Sequence, residues 1–160
     1  MAAPDVELAD AIVADLNHVD RNWDMTFTAV RTWTPLWIGK TELATALGCL
    51  VNPWPVVEVE PEDRHNVRYQ LSVDIGFAKR LSDKTRTEID DLREQVHTIT
   101  KRYAKTDYTV AGVGTFVALR RLDEYFTFDP SRLTRDPATG KYTGDFLSYF
   151  RVPFLLKETY

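Results

Sequence analysis

Three histidines, His18, His65 and His97, are the side chains best suited to acid–base work near neutral pH. Their spacing leaves them alone. His18 and His65 fall in polar stretches and His97 lies off the apolar stripe of a helix, and none has a histidine or acidic residue at the i, i+4 spacing of metal ligands. The run Glu88, Asp90, Asp91 and Glu94 puts carboxylates three and four residues apart, which suits Mg²⁺ or Ca²⁺. The same residues are what the positive end of a helix dipole favours in its first turns. Asp74 sits on a strand face with Arg68, Gln70 and Ser72; general acid–base use requires a partner and a cleft as well. A small hydrolase or metal enzyme therefore requires His65, Asp74 and His97 to gather in space. Gly112 and Gly114 are two glycines of a dinucleotide fingerprint without the rest, and no serine has a nucleophile-elbow context. The sequence predicts no catalytic residue, no cofactor site and no metal ligand, and the chain reads as not an enzyme.

The elements that hold these residues are easier to read. Val67 to Ala78 is apolar at every odd position and polar or small at the even ones, the period-two pattern of a strand with one buried face. Ile89, Leu92, Val96, Ile99 and Tyr103 then recur at three and four, as in an amphipathic helix. Thr85 and Glu88 form a capping box at its start, and its charge order, acidic first and then Lys101, Arg102 and Lys105, suits the helix dipole. A first helix is predicted from Pro4 to about Asn17, with Leu8, Ala9, Ile12, Val13 and Leu16 as its stripe. Met25 to Trp33 reads as a strand and Val56 to Glu60 as another; between them Glu42, Leu43, Ala46 and Leu47 suit a short helix turn, or Leu43 to Val51 a strand with Gly48 at a bulge, and mostly extended structure is the favoured reading. Pro61 to Asn66 is the polar turn that joins that strand to the long one in a hairpin. Tyr108 to Ala118 reads as a turn feeding a strand, and Tyr125 to Phe128 as a short strand. A last strand is predicted from Phe146 to Leu156, where Pro153 implies a sheet edge or a break. The expectation is an α/β (α+β) fold, a mixed or antiparallel sheet packed against two main helices with extended loops.

With 160 residues, 44% of them hydrophobic, the chain suits one structural domain, residues 1–160. The stretch from Asp129 to Gly144 has two Asp-Pro steps and two glycines and reads as a flexible loop or arm within that domain. Twenty Lys and Arg against 24 Asp and Glu leave a formal charge of −4, which argues against a general nucleic-acid binder. Cys49 is the lone cysteine, so no disulfide forms within the chain, and a reducing compartment fits. The N-terminus lacks the basic and apolar regions of a signal peptide, and no apolar run approaches the roughly 20 residues that cross a bilayer. No membrane partner is expected.

Aromatic residues are the more informative surface signal. Trp33 and Trp37 flank Pro35 where the chain leaves a strand, and indoles are enriched at the centres of interfaces. They serve either to close the core or to meet another subunit. Arg120 and Arg121 are candidates for ion pairs between subunits or for plain surface. Leu133 and Tyr142 are the larger apolar anchors of the 129–144 arm.

The runs Phe27 to Trp37, Glu42-Leu43, Asn66 to Ile75 and Glu88 to Leu92 resemble a family of small structural proteins of tailed bacteriophages, over about two thirds of the chain. The resemblance is to head–tail joining proteins of the tail-terminator (tail completion) type. It implies a virion protein at the head–tail junction, made in the host cytoplasm, that closes into a homo-oligomeric ring, commonly a hexamer. The ring ends tail-tube polymerisation, meets the tail tube protein on one side and a head-closure or connector protein on the other, and lets DNA pass without specific binding. A head-closure or connector-adaptor protein of the neck is the neighbouring reading. Trp54-Pro55 and the long polar 129–144 segment depart from the family pattern.

Overall fold

A proline at its first turn and acidic Asp5 and Glu7 start helix α1 (Pro4–Leu16), which buries Leu8, Ala9, Ile12 and Leu16. The computed structural model describes residues 3–33, 43–61, 67–81, 85–126 and 130–158. Helix α2 (Arg86–Tyr103) begins as expected: Thr85 Oγ1 accepts from the Glu88 amide at 3.3 Å. One Glu88 carboxylate oxygen accepts from Lys79 Nζ at 2.6 Å, so the first turn of α2 is tied to the sheet. The buried stripe is the predicted one, Ile89, Leu92, Val96, Ile99 and Tyr103, with Glu88, Gln95 and Thr100 added.

The strands are β1 (Thr28–Arg31), β2 (Gly48–Pro61), β3 (Val67–Arg80), β4 (Tyr108–Val110), β5 (Gly114–Ala118), β6 (Glu124–Phe126), β7 (Leu133–Arg135) and β8 (Tyr142–Glu158). Among the described residues they form a mixed sheet in the order β1-β2-β3-β8-β5-β4, with β6 and β7 also paired to β8. Only the β1–β2 pair is parallel. The sheet curls into a half-barrel packed against the two helices, an α+β fold.

Period-two patterning decides which face meets the helices. Leu71, Val73, Ile75 and Phe77 of β3 align with Val51 and Cys49 of β2 and with Phe154, Val152, Phe150 and Ser148 of β8. All of these are buried and, Ser148 apart, join the helix stripes, Phe116 and Phe146 in one hydrophobic core. Each such side chain contributes about 1.5–3 kcal/mol through removal from water. The opposite face carries Leu50, Asn52 and Trp54 of β2, Ser72, Asp74, Gly76 and Ala78 of β3, and Leu147, Tyr149 and Arg151 of β8.

Several sequence readings require adjustment. The first strand is shorter than Met25 to Trp33, because residues 24–27 form a bend and an irregular lead into Thr28. Gly48 opens β2 rather than forming a bulge; the irregularity lies further on, where Trp54 opposes Ser72 and Glu58 opposes Gln70. Tyr108 to Ala118 is a two-strand hairpin, with Gly112 at φ 77° in its turn.

The final strand is not at an edge. β8 runs between β3 on one side and β5 and β6 on the other. Pro153 is accommodated because its backbone edge faces the point where β8 changes partners: its O accepts from Leu119 N at 3.2 Å just past the end of β5, which pairs with residues 154–158, and β6 pairs with residues 149–151. A missing amide breaks no ladder there. The break that proline signalled lies in the neighbouring strand.

Within 130–144 the chain makes a 3₁₀ turn at Pro130–Arg132, then the hairpin β7–β8. Its tip is bonded from Gly140 N to Asp136 O and from Asp136 N to Lys141 O, both 2.8 Å. Asp136 Oδ1 accepts from Ala138 N at 2.9 Å, and this and the Thr139 hydroxyl hold its carboxyl below the usual range. Asp129 lies outside the described residues.

Candidate functional site

Among the described residues the chemistry-bearing side chains do not converge. His18 follows α1, and its Nδ1 accepts from the Asp20 amide at 3.2 Å. His97 is exposed on α2, and His65 lies outside the described residues. Asp74 points from the other face of β3 and is held by Arg151, whose Nε and Nη2 donate to its two oxygens at 2.7 and 3.1 Å. The Arg151 guanidinium lies 3.8 Å from the Trp54 ring centroid, a close cation–π contact. Asp74 is thus a partner in a fixed ion pair with an indole over it. The acidic run on α2 is also dispersed. Glu88 is buried against Lys79 and Asp90 stands 3.7 Å from Arg86. Among the described residues no group of three or more His, Cys, Asp or Glu is placed to hold a metal ion. Cys49 is buried, which pushes its thiol up and keeps it protonated.

The densest polar group is one that sequence reasoning missed. Asp15, near the end of α1, accepts from Tyr103 Oη at 2.8 Å, Tyr108 Oη at 3.2 Å and Arg102 Nη2 at 3.4 Å, and also from Arg21. Burial by itself raises the Asp15 pKa. Hydrogen bonds from Arg21 and Tyr103 and the charges of Arg102 and Arg21 outweigh it and hold the carboxyl below its ordinary value. Burial, then the bond to Asp15, raises Tyr103. Burial, then the neighbouring Tyr103 and Asp15, raises Tyr108. Both phenols are therefore neutral donors at pH 7, and the cluster binds α1, α2 and β4 together. Asp15 stands four residues before Val19 and looks like ordinary helix surface in the sequence, so nothing local marks it as a hub.

Beside that cluster, residues Leu16, Arg21, Trp23 and Phe27 line part of a shallow cleft of about 520 Å³. Part of its polar lining is engaged within the chain: Trp23 Nε1 donates to Leu16 O at 3.0 Å and Asn17 bonds to Ala29. His18 also lines it, with its Nδ1 3.5 Å from Asp20 Oδ2.

The interface candidates separate into three kinds. Trp33 is 59% exposed, with the Arg31 guanidinium 5.8 Å from its ring. It stands beside β1, whose Val30 is 51% exposed. Arg120 and Arg121 are exposed in the β5–β6 connection, where Arg121 Nε pairs with Asp123 Oδ1 at 3.1 Å. Leu133 and Tyr142 are half-buried and pack against the main core of the chain. Trp37 lies outside the described residues. Val19, 87% exposed, and Trp54, 37% exposed, join Val30 and Trp33 as the exposed large hydrophobics among the described residues. No helix among the described residues is long and apolar enough to cross a membrane. Comparison with protein-family models finds no match, and no curated protein matches the sequence.

Proposed function

We propose that the chain is a non-enzymatic structural subunit of a tailed-phage virion. It forms a homo-oligomeric ring, a hexamer in the assembled particle, at the head-proximal end of the tail, where it terminates the tail tube and joins it to the head. The observation that carries this reading is the β1 end of the sheet. Val30 and Trp33 stand 51% and 59% exposed there, beside a rigid core. Large exposed apolar side chains on a stable scaffold suit a surface that another subunit covers. The resemblance in Phe27 to Trp37 and Asn66 to Ile75 supplies the particular assembly. A ring repeats one pair of unlike surfaces around its axis, so a single exposed apolar patch meeting a different face satisfies every subunit.

In this reading the tail tube protein lies on one side of the ring and a head-closure or connector protein on the other. DNA passes through the lumen without specific contacts, for which a chain with a formal charge of −4 is suited. Imaging of purified particles tests it directly: density for this chain is expected at the head-proximal end of the tail. Its presence at the distal tip, or its absence from particles, overturns the reading. Deletion separates it from a head-closure protein. Loss of a terminator leaves filled heads and tails of unregulated length, whereas loss of a head-closure protein leaves leaking heads and normal tails.

A further inference from the structure

We propose that Arg120 is a contact residue between subunits, whose guanidinium takes a carboxylate of the neighbouring copy of this chain. This rests on the ring reading above and assigns one of its contacts. Leu119 N donates to Pro153 O at 3.2 Å and Asp123 N donates to Arg151 O at 3.1 Å. The residues between those two bonds arch away from β8 at the place where Pro153 has no amide to offer. Arg120 sits in the arch at φ 58°, the only non-glycine with positive φ among the described residues. That backbone region crowds a Cβ against the following carbonyl, and glycine occupies it without that penalty. The neighbours in the arch are satisfied: Arg121 pairs with Asp123, and Leu122 packs against the core. Arg120 is exposed and has no ion pair among the described residues.

A position that favours glycine on backbone grounds holds instead a long cation aimed at solvent. Both ends of the arch are fixed by β8, so docking the side chain orders little further backbone. The chemistry of the occupant follows from the surroundings. A single guanidinium with Asp123 three positions away is a poor grip on a polyanion, which is held by several phosphate contacts at once. One carboxylate suits its planar fork. The chain has 24 acidic residues against 20 basic, so a second copy supplies such a group.

Arg120→Gly and Arg120→Asn separate contact from fold, since both residues accept positive φ. Thermal melting of each is expected at or above the wild-type midpoint. Self-association, followed by sedimentation velocity over a concentration series and by capping of purified tails, is expected to weaken at least tenfold in both variants. Arg120→Lys, with the charge but not the fork, falls between. A wild-type ring indifferent to Arg120 overturns this proposal and leaves the ring reading standing. A wild-type chain that stays monomeric in solution and on tails removes both. Unchanged association, with loss of binding to a DNA duplex by fluorescence anisotropy, moves the arginine to nucleic acid and also overturns the proposal.

Discussion

The side chain of Asn17 takes the place of a strand beside Ala29. Its Nδ2 donates to Ala29 O at 2.9 Å, and its Oδ1 accepts from Ala29 N at 2.8 Å. Thr32 N bonds inward to Val51 O, so alternation along β1 turns the Ala29 groups outward, to the open edge of the sheet. Arg31 reinforces that edge through Asp10 of α1, Nε to Oδ1 at 2.6 Å. At the opposite end of the sheet, Tyr108 of β4 reaches Asp15 of the same helix. α1 therefore acts as the stave that closes the half-barrel, bonded to both terminal strands. An open edge invites pairing with another chain, and here a helix covers it.

Asn17→Ala removes both bonds at once and leaves a strand N–H and C=O without their partner. The expected loss is about 2 kcal/mol by urea denaturation, with increased aggregation on heating. A loss below about 0.5 kcal/mol shows that water replaces the amide at no cost.

Acid sensitivity should centre on Asp15. Its folded pKa is depressed, so its contribution is present above the ordinary aspartate pKa of 3.8 and is lost as pH falls through the folded value. Stability measured from pH 7 down to pH 2 should fall below about pH 4, and Asp15→Asn should be less stable at pH 7 with a shallower acid limb. Tyr103 and Tyr108 are raised, so their contribution is full below the ordinary tyrosine pKa of 10.0 and declines as pH climbs beyond it. A Tyr108→Phe variant should lose part of that alkaline limb. Unaltered limbs in both variants would remove the hub from the stability argument.

Gly144 makes a sharp steric prediction. It lies at φ 115°, and a Cβ there would stand 2.0 Å from Arg132 O. Gly144→Ala should displace the Pro130–Arg132 turn and cost about 2 kcal/mol or more. Hydrogen exchange reads the same hairpin without mutation. The bonded tip predicts slowed exchange at Asp136 and Gly140 in the isolated chain, and an arm that orders only on docking predicts fast exchange there. Uniformly fast exchange from Arg132 to Tyr142 would favour the docking arm.

Val30→Lys and Trp33→Ser test the proposed ring surface. Both side chains are largely exposed, so melting should change little, within about 0.5 kcal/mol. Ring formation on tails should fall by at least tenfold. Loss of stability in step with loss of assembly would return these residues to the core.

Local signals were legible where neighbours in sequence decide the outcome. The apolar alternation of Val67 to Ala78 and the Thr85 cap need nothing beyond their own segment, and both match the structure. Pro153 shows the opposite case. Its missing amide is harmless only because β5 ends at Ala118 and β6 begins at Glu124, which no pattern around residue 153 encodes. Asn17 reads as a helix exit and is one, yet its amide also serves a strand 12 residues away. Among contact candidates, Trp33 and Arg120 remain exposed, whereas Leu133 and Tyr142 turn toward the core. The hairpin could have folded toward either face with the same sequence spacing.

The position of β8 constrains when this chain can fold. It follows every strand it pairs with, and it alone joins β3 to β5. A nascent chain emerging from the ribosome holds two separate pieces, β1-β2-β3 and β4-β5, with Leu71 to Phe77 lacking their partners. Only when residues 142–158 are free can they insert between the two and complete the core. Folding is thus deferred until after synthesis of these segments, and long-range pairing of this kind is slow. An incomplete polypeptide therefore has no finished sheet to offer any partner.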